Sequence, residues 1–280
     1  MITNGLSVDV EDWFQVGAFE KTISRDDWDS LEHRVEANTD RVLELFDAGG
    51  VKATFFTLGW VAERYPALIR RIAEAGHEVA SHGWDHRRVF TMGPEQFRAD
   101  LAAARTALED AAGVAVTGYR APSFSFDART PWAHEVLADA GYAYSSSVAP
   151  IRHDHYGWAD APRGAHQPVC GSELVELPIT LARFLGKEVT TGGGFFRLLP
   201  SAVTERAVRD ANRIDRAAIF YFHPWEIDPG QPRVADAPFK SRLRHYSRLG
   251  AMAGKLEKLI GGHRWGRVDQ VAAEAVRRLQ

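Results

Sequence analysis

Two histidines stand four residues apart in Ser81-His82-Gly83-Trp84-Asp85-His86. That separation lets both imidazoles reach one ion, whether from a helical turn or a tight loop. Three carboxylates crowd Asp9-Val10-Glu11-Asp12, and such a cluster is costly unless it meets a cation. Strand alternation puts Asp9 and Glu11 on one face, and a turn could bring Asp12 round as well. Two histidines plus one carboxylate leave coordination positions open, the arrangement of a catalytic rather than a structural metal site. Such an ion polarises a carbonyl and acidifies water. Amide hydrolysis there still needs a base for the water and an acid for the departing nitrogen. The bland alternatives are surface-loop histidines and acids that are solvated or cap a helix.

The elements that must hold these residues follow from periodicity. Leu6–Val10 reads as a strand, and 40–48 as a helix stopped by Gly49-Gly50. Val51–Thr57 is β-branched and aromatic, hence a strand. Val61, Tyr65, Leu68, Ile69 and Ile72 recur at helical spacing before Gly76. Strands follow at 78–81, 114–120, 142–146, 174–177 and 217–222. Helices are expected around Phe97–Leu108, at 131–140 and 202–212, with a final one presenting Leu243, Tyr246, Leu249, Leu256 and Leu259 on one face. The stretch 147–172 has little periodicity, and a loop that long in a compact domain is functional or disordered.

Repeated strand–helix units imply a mostly parallel sheet covered by helices. About seven units suit an α/β fold of the distorted (β/α) barrel type better than a flat doubly wound sheet. The first turn lacks Gly-x-Gly-x-x-Gly, which argues against dinucleotide binding. Barrels collect catalytic groups where strands end. Asp9, Glu11 and Asp12 fall after the first strand, His82 after the third, Arg120 after the fourth and His223 after the last.

The chain has 280 residues, 45% of them hydrophobic, and a formal net charge of −3. A near-neutral balance gives no electrostatic footprint for nucleic acid. The short basic stretch His263, Arg264 and Arg267 reads as a solvated helix flank. Cys170 is the only cysteine, so no internal disulfide is possible, and its Pro-Val-Cys-Gly setting suits a plain free thiol. The amino terminus lacks the basic and apolar regions of a signal peptide, and no apolar run approaches a membrane span. The resulting expectation is a cytoplasmic location. Oligomeric state is not legible.

The ordered set Asp9…His82-x-x-x-His86…Arg120-x-Pro122…His223 resembles the polysaccharide deacetylases with a NodB homology domain, carbohydrate esterase family 4, over about residues 6–226. The segments Asp-Val-Glu-Asp-Trp-Phe, Ile-Arg-His-Asp-His-Tyr-Gly and Phe-His-Pro-Trp-Glu-Ile-Asp resemble the subgroup tied to exopolysaccharide and exosortase gene clusters. The resemblance implies a barrel over 1–226 and a helical extension packed on it over 227–280. It also implies removal of N-acetyl groups from an N-acetylated oligo- or polysaccharide. In that mechanism Asp9 is the base, Arg120 orients it, His82 and His86 bind a divalent metal, and His223 protonates the leaving amine. Zinc is the expected ion, with cobalt or nickel acceptable to the same donors.

Three positions depart from the family pattern. Val10 stands where a second aspartate is usual, so the ligand carboxylate is Glu11 or Asp12. Gly83 replaces the Ser or Thr after the first metal histidine, so that loop must be held another way. Ser123 occupies an aromatic groove position, with Phe124 as its substitute. Gly192-Gly193-Gly194 lacks the ending of a phosphate loop and reads as a connection. His153, Asp154, His155, Tyr156 and Trp158 in the irregular loop are expected to border the sugar cleft. Rival readings are hydrolysis of a cyclic ureide or a peptidoglycan-type amide, a non-haem iron oxygenase, and a carbohydrate-binding protein without catalysis.

Overall fold

The structure, a computed structural model, describes residues 2–152 and 157–279. Seven parallel strands make the frame: β1 (Asn4–Val10), β2 (Thr54–Thr57), β3 (Glu78–Ser81), β4 (Gly118–Tyr119), β5 (Tyr144–Ser145), β6 (Val175–Glu176) and β9 (Ile219–Phe222). They lie in the order β9-β1-β2-β3-β4-β5-β6, every neighbouring pair parallel. Beyond β6 the Thr180 amide donates to the Ile219 carbonyl at 3.2 Å, and the Ile219 amide donates to Thr180 Oγ1 at 2.8 Å. These bonds bridge the gap to β9, so the sheet curls into a distorted (β/α) barrel.

Parallel strands covered on both faces bury both, and these do. Leu6, Val8, Val10, Phe55, Val79, Phe220 and Phe222 belong to the large core under the helices. Their alternating neighbours Phe56, Ala80, Ile219 and Tyr221 form a second cluster inside the curl. Ser7 and Asp9, on the same inward face of β1, meet Arg120 there.

The outer layer comprises α1 (Val35–Ala48), α2 (Gly59–Arg64), α3 (Pro66–Glu74), α4 (Pro94–Ala112), α5 (Ala133–Asp139), α6 (Gly193–Leu198) and α7 (Ser201–Arg213). An antiparallel hairpin, β7 (Leu181–Phe184) with β8 (Lys187–Thr190), stands off the barrel. The chain ends with α8 (Phe239–Tyr246), α9 (Met252–Gly262), the two-residue β10 (Trp265–Gly266) and α10 (Val268–Leu279).

Several sequence expectations change. The helix expected from residue 40 starts five residues earlier, at Val35. The pattern beginning at Val61 is two helices, because Pro66 has no amide to continue the first and opens the second. The single final helix is also two, broken at Ser247 and Arg248, the latter left-handed at φ 57°. The hairpin and α10 had no forecast. β10 pairs with Asn4 and Gly5 of β1. α10 buries Val268, Val271, Ala272 and Ala275 in the inner cluster, closing the end of the barrel where β2 and β3 begin. His263, Arg264 and Arg267 flank β10, with Arg267 paired to Asp269 at 2.7 Å. Cys170 is exposed and free. No helix among the described residues is long and apolar enough to cross a membrane.

Candidate metal and acid–base site

The site lies at the carboxyl ends of the strands. Glu11 follows β1, His82 follows β3, Arg120 follows β4 and His223 follows β9. Glu11, His82 and His86 each offer one atom within 4.8 Å of the others, and all three are buried. His82 Nδ1–H donates to the Arg120 carbonyl at 2.8 Å, which fixes the tautomer and leaves Nε2 as the free donor atom. Glu11 Oε2 sits 2.8 Å from His86 Nε2 without meeting the geometry of a hydrogen bond. A buried carboxylate oxygen facing two imidazole nitrogens, without a hydrogen-bond partner of its own, is a donor set that fits a divalent cation. Burial pushes the His82 imidazole down to about 4 despite Asp9 and Glu11, so it is neutral when a metal arrives.

Asp12 takes no part in this cluster. Its Oδ1 accepts the Trp13 amide at 2.8 Å, and its Oδ2 accepts the amides of Arg34 and Val35 at 2.7 and 3.0 Å. The side chain thus satisfies donors at the start of α1, which lacks a cap from Arg34 itself. Burial dominates its ionisation and raises it to about 6. Of the two carboxylates left open by the sequence, the geometry joins Glu11 to the histidines and sends Asp12 to the helix.

Asp9 Oδ1 receives Arg120 Nη1 at 2.6 Å, both side chains being almost wholly buried. The guanidinium also donates to Ser7 Oγ at 2.7 Å and to the Ser146 carbonyl and hydroxyl at 3.0 Å each. A planar fork held at four points presents Asp9 in one orientation.

His223 Nδ1 faces Glu226 Oε2 at 3.3 Å, while Nε2 points toward Glu11 Oε1 at 3.6 Å. Burial by itself favours the neutral ring, but Glu11, Glu226 and Asp9 together outweigh it and lift His223 to about 9. These carboxylates favour the protonated ring, whose Nε2 faces the Glu11–His82–His86 cluster. Glu11 shows the reverse balance: burial raises it, yet His86, His223 and His82 bring it to about 2.

The metal loop is shaped by backbone contacts. His86 adopts φ 58° and Gly83 φ 76°, conformations that cost a side-chain-bearing residue free energy and cluster at functional sites. The Gly59 and Trp60 amides, at the start of α2, donate to the Gly83 and Trp84 carbonyls at 2.9 and 3.0 Å. Asp100 of α4 accepts the Trp84 amide at 3.2 and 3.3 Å. A Cβ on Gly83 would meet Asp100 Oδ2 at 2.9 Å, so Asp100 and α2 replace the missing hydroxyl side chain.

One aromatic expectation is corrected. Phe124 is 4% exposed and packs edge-on to Tyr221 at 4.7 Å. It covers Arg120 from 5.5 Å and does not wall an open groove. Gly192 approaches the Tyr221 carbonyl, where a Cβ would lie 2.1 Å away, so the glycine run serves packing. Of the loop residues, Trp158 packs against the main core, and 153–156 lie outside the described residues. Three contributors had no sequence forecast: Glu226, Arg197 behind it, and Trp225, whose Nε1 donates to Glu11 Oε1 at 3.2 Å. The three-residue spacing of His223 and Glu226 was a usable signal; nothing local marked Arg197.

Residues 23–145 match the family described as Polysaccharide deacetylase, and 146–273 match one described as a domain of unknown function, DUF3473. The peptidoglycan deacetylase of Helicobacter pylori is 30% identical over 149 residues, 53% of this chain and 49% of that protein. A chitin deacetylase of Pestalotiopsis is 30% identical over 123 residues, 42% of this chain and 40% of that protein. The chain thus spans half or less of these relatives. A solved Mycobacterium smegmatis chain, described as a candidate polysaccharide deacetylase, superposes with TM-score 0.63 at 22% identity, covering 100% of this chain and 93% of the other. The Puue allantoinase superposes with TM-score 0.58 at 16% identity, covering 96% and 88%. Both likenesses bear on the fold.

Proposed function

We propose that this chain is a metal-dependent deacetylase that releases acetate from N-acetylated polysaccharide. The observation that carries this reading is the placement of Asp9 and His223 beside one donor set, Glu11, His82 and His86. Those three would hold the divalent ion, zinc by preference, which when bound supplies Lewis-acid polarisation of the acetamide carbonyl and of water. Glu11 is the ligand carboxylate in this reading, and Asp12 is not.

Asp9, fixed by Arg120, accepts a proton from water as the water oxygen bonds to the carbonyl carbon. His223 Nε2–H gives a proton to the nitrogen as the carbon–nitrogen bond breaks and its electron pair passes to that nitrogen. Acetate and a free amine result. A proton acceptor and a proton donor within reach of one pocket are what general acid–base work requires.

The broader substrate class, N-acetylated glycans, is favoured by the likeness to peptidoglycan and chitin deacetylases. A role in exopolysaccharide biosynthesis is supported by the sequence resemblance of the Asp9–Phe14 and Phe222–Asp228 segments to that subgroup. The test is acetate release by zinc-loaded protein from chitin oligomers, peptidoglycan fragments and an acetylated exopolysaccharide, with allantoin as the amide control. Acetate from at least one glycan is expected. Hydrolysis of allantoin alone, or no acetate from any glycan with metal bound, would refute the reading.

A further inference from the structure

Behind the acid stands a buried arginine that the mechanism above does not use. Arg197, at the end of α6, is 1% exposed and its Nε donates to Glu226 Oε1 at 2.7 Å. The other oxygen of Glu226 receives the His223 amide at 3.1 Å and faces the ring at 3.3 Å. The rest of the guanidinium grips a different part of the chain. Nη1 donates to the carbonyls of His245 and Ser247 at 2.7 and 2.8 Å, and Nη2 to that of Arg244 at 3.0 Å. Those carbonyls are the last turn of α8 and its exit, where orphan acceptors await cationic donors.

The same turn returns to the site by a second route. The His245 ring stacks on Trp225 with centroids 4.2 Å apart and 15° between planes. Trp225 in turn stacks on His223 at 5.2 Å and 19°. His245 is itself fixed by Gln231, 2.6 Å from its Nε2. From α9, Lys255 Nζ donates to the carbonyls of Phe196, Arg197 and Leu199 at 2.6–2.9 Å, holding the end of α6 that carries the clamp.

We propose that Arg197 and the α8 turn it holds are positioning elements for His223, so that the carboxy-terminal segment after the last barrel strand fixes the proton donor of the site. The inference rests on the deacetylase reading and assigns a task to the part of the chain matched by a domain of unknown function. One buried guanidinium ties Glu226, which orients the ring, to the helix whose histidine backs the ring through Trp225. Replacing Arg197 removes the guanidinium that anchors one oxygen of the buried Glu226, so the carboxylate is free to rotate away from Nδ1. Among the described residues no hydrogen bond or ion pair joins Arg197 itself to Asp9, Glu11, His82 or His86.

The experiment compares zinc-loaded wild type, Arg197→Gln, Arg197→Lys and Glu226→Gln on two acetyl substrates. One is the N-acetylglucosamine tetramer, whose nitrogen must be protonated to leave. The other is 4-nitrophenyl acetate, whose phenolate leaves without a proton. Arg197→Gln and Glu226→Gln should lower kcat on the tetramer by about 10²-fold at unchanged KM, with ester cleavage held within about threefold. Arg197→Lys, which keeps a cation beside Glu226, should recover part of the loss. If Arg197→Gln does not fold, the other two variants carry the same comparison, with melting temperature and zinc content measured on each. Equal losses on both substrates, or no loss on the tetramer, overturn the proposal. If the tetramer is silent, the comparison runs on the panel glycan that does release acetate; a wild type that releases acetate from no glycan of that panel overturns the deacetylase reading and the proposal with it.

Discussion

At the scale of single residues, the site separates two neighbouring acids into unlike tasks. Glu11 turns toward His82 and His86, while Asp12 turns the other way and feeds both oxygens to backbone amides at the start of α1. Glu11→Gln should therefore abolish stoichiometric zinc binding and leave the melting temperature of the metal-free protein almost unchanged. Asp12→Ala should keep zinc and cost about 1–2 kcal/mol of stability, the scale of a lost helix cap. Zinc analysis with thermal melts checks both, and a swap of the two outcomes would reverse the assignment. The sequence could not decide between these acids, because β1 ends at Val10 and the direction of the next two side chains depends on where the chain turns. Asp9, His82, Arg120 and His223 could be placed together from sequence because Asp9 lies one residue from the end of β1 and each of the others directly follows a strand. Arg197 was not, since its partners lie 29 to 50 residues away in α8 and beyond β9.

At the scale of elements, the loop from β3 to α4 shows how a missing side chain is replaced by packing. Gly83 tolerates φ 76° and leaves room for Asp100, which accepts the Trp84 amide from the far side. Installing a Ser there adds a Cβ to a left-handed residue and pushes it against Asp100 Oδ2. Gly83→Ser should destabilise the fold by about 1–2 kcal/mol and weaken zinc binding. Competition with a chelator measures the latter, and unchanged zinc affinity would show that the loop is not held as described. Strong periodicity made β1, β3, α4, α7 and β9 legible. Periodicity could not show the Arg248 break between α8 and α9, because apolar positions continue in phase across it. The β7–β8 hairpin was obscured by charged residues on its exposed strands, and α10 by the basic residues just before it, which resemble a solvated flank.

At the scale of the molecule, the barrel is closed at one end by α10 and carries its chemistry at the other. The seven-strand parallel frame was legible because strand and helix alternate almost without interruption. What sequence could not convey is that the chain beyond residue 227 completes both ends, closing the far end of the barrel through β10 and α10 and backing His223 through α8. The closed end also sets an acid limit on stability. His77, 5% exposed, accepts the Ala53 amide on Nδ1, and burial, aided by Lys52 and Arg267, lowers its ring to about 4. The native state keeps this ring neutral while the unfolded chain takes up a proton. Its contribution is therefore present above the ordinary histidine value and is lost as pH falls toward 4. His77→Asn, which retains an acceptor for Ala53, should flatten the decline in urea midpoint between pH 6.5 and 4. An identical slope in the variant would remove His77 from the acid response.

The most direct test of the central claim is single-turnover acetate release from an N-acetylated glucosamine oligomer by zinc-loaded wild type and by Asp9→Asn, with bound zinc determined in the same samples. Wild type should release acetate, lose that activity on chelation and regain it when zinc is returned. Asp9→Asn should hold the same zinc and release almost none. Full acetate release by Asp9→Asn, or release by wild type that chelation does not touch, would contradict the account.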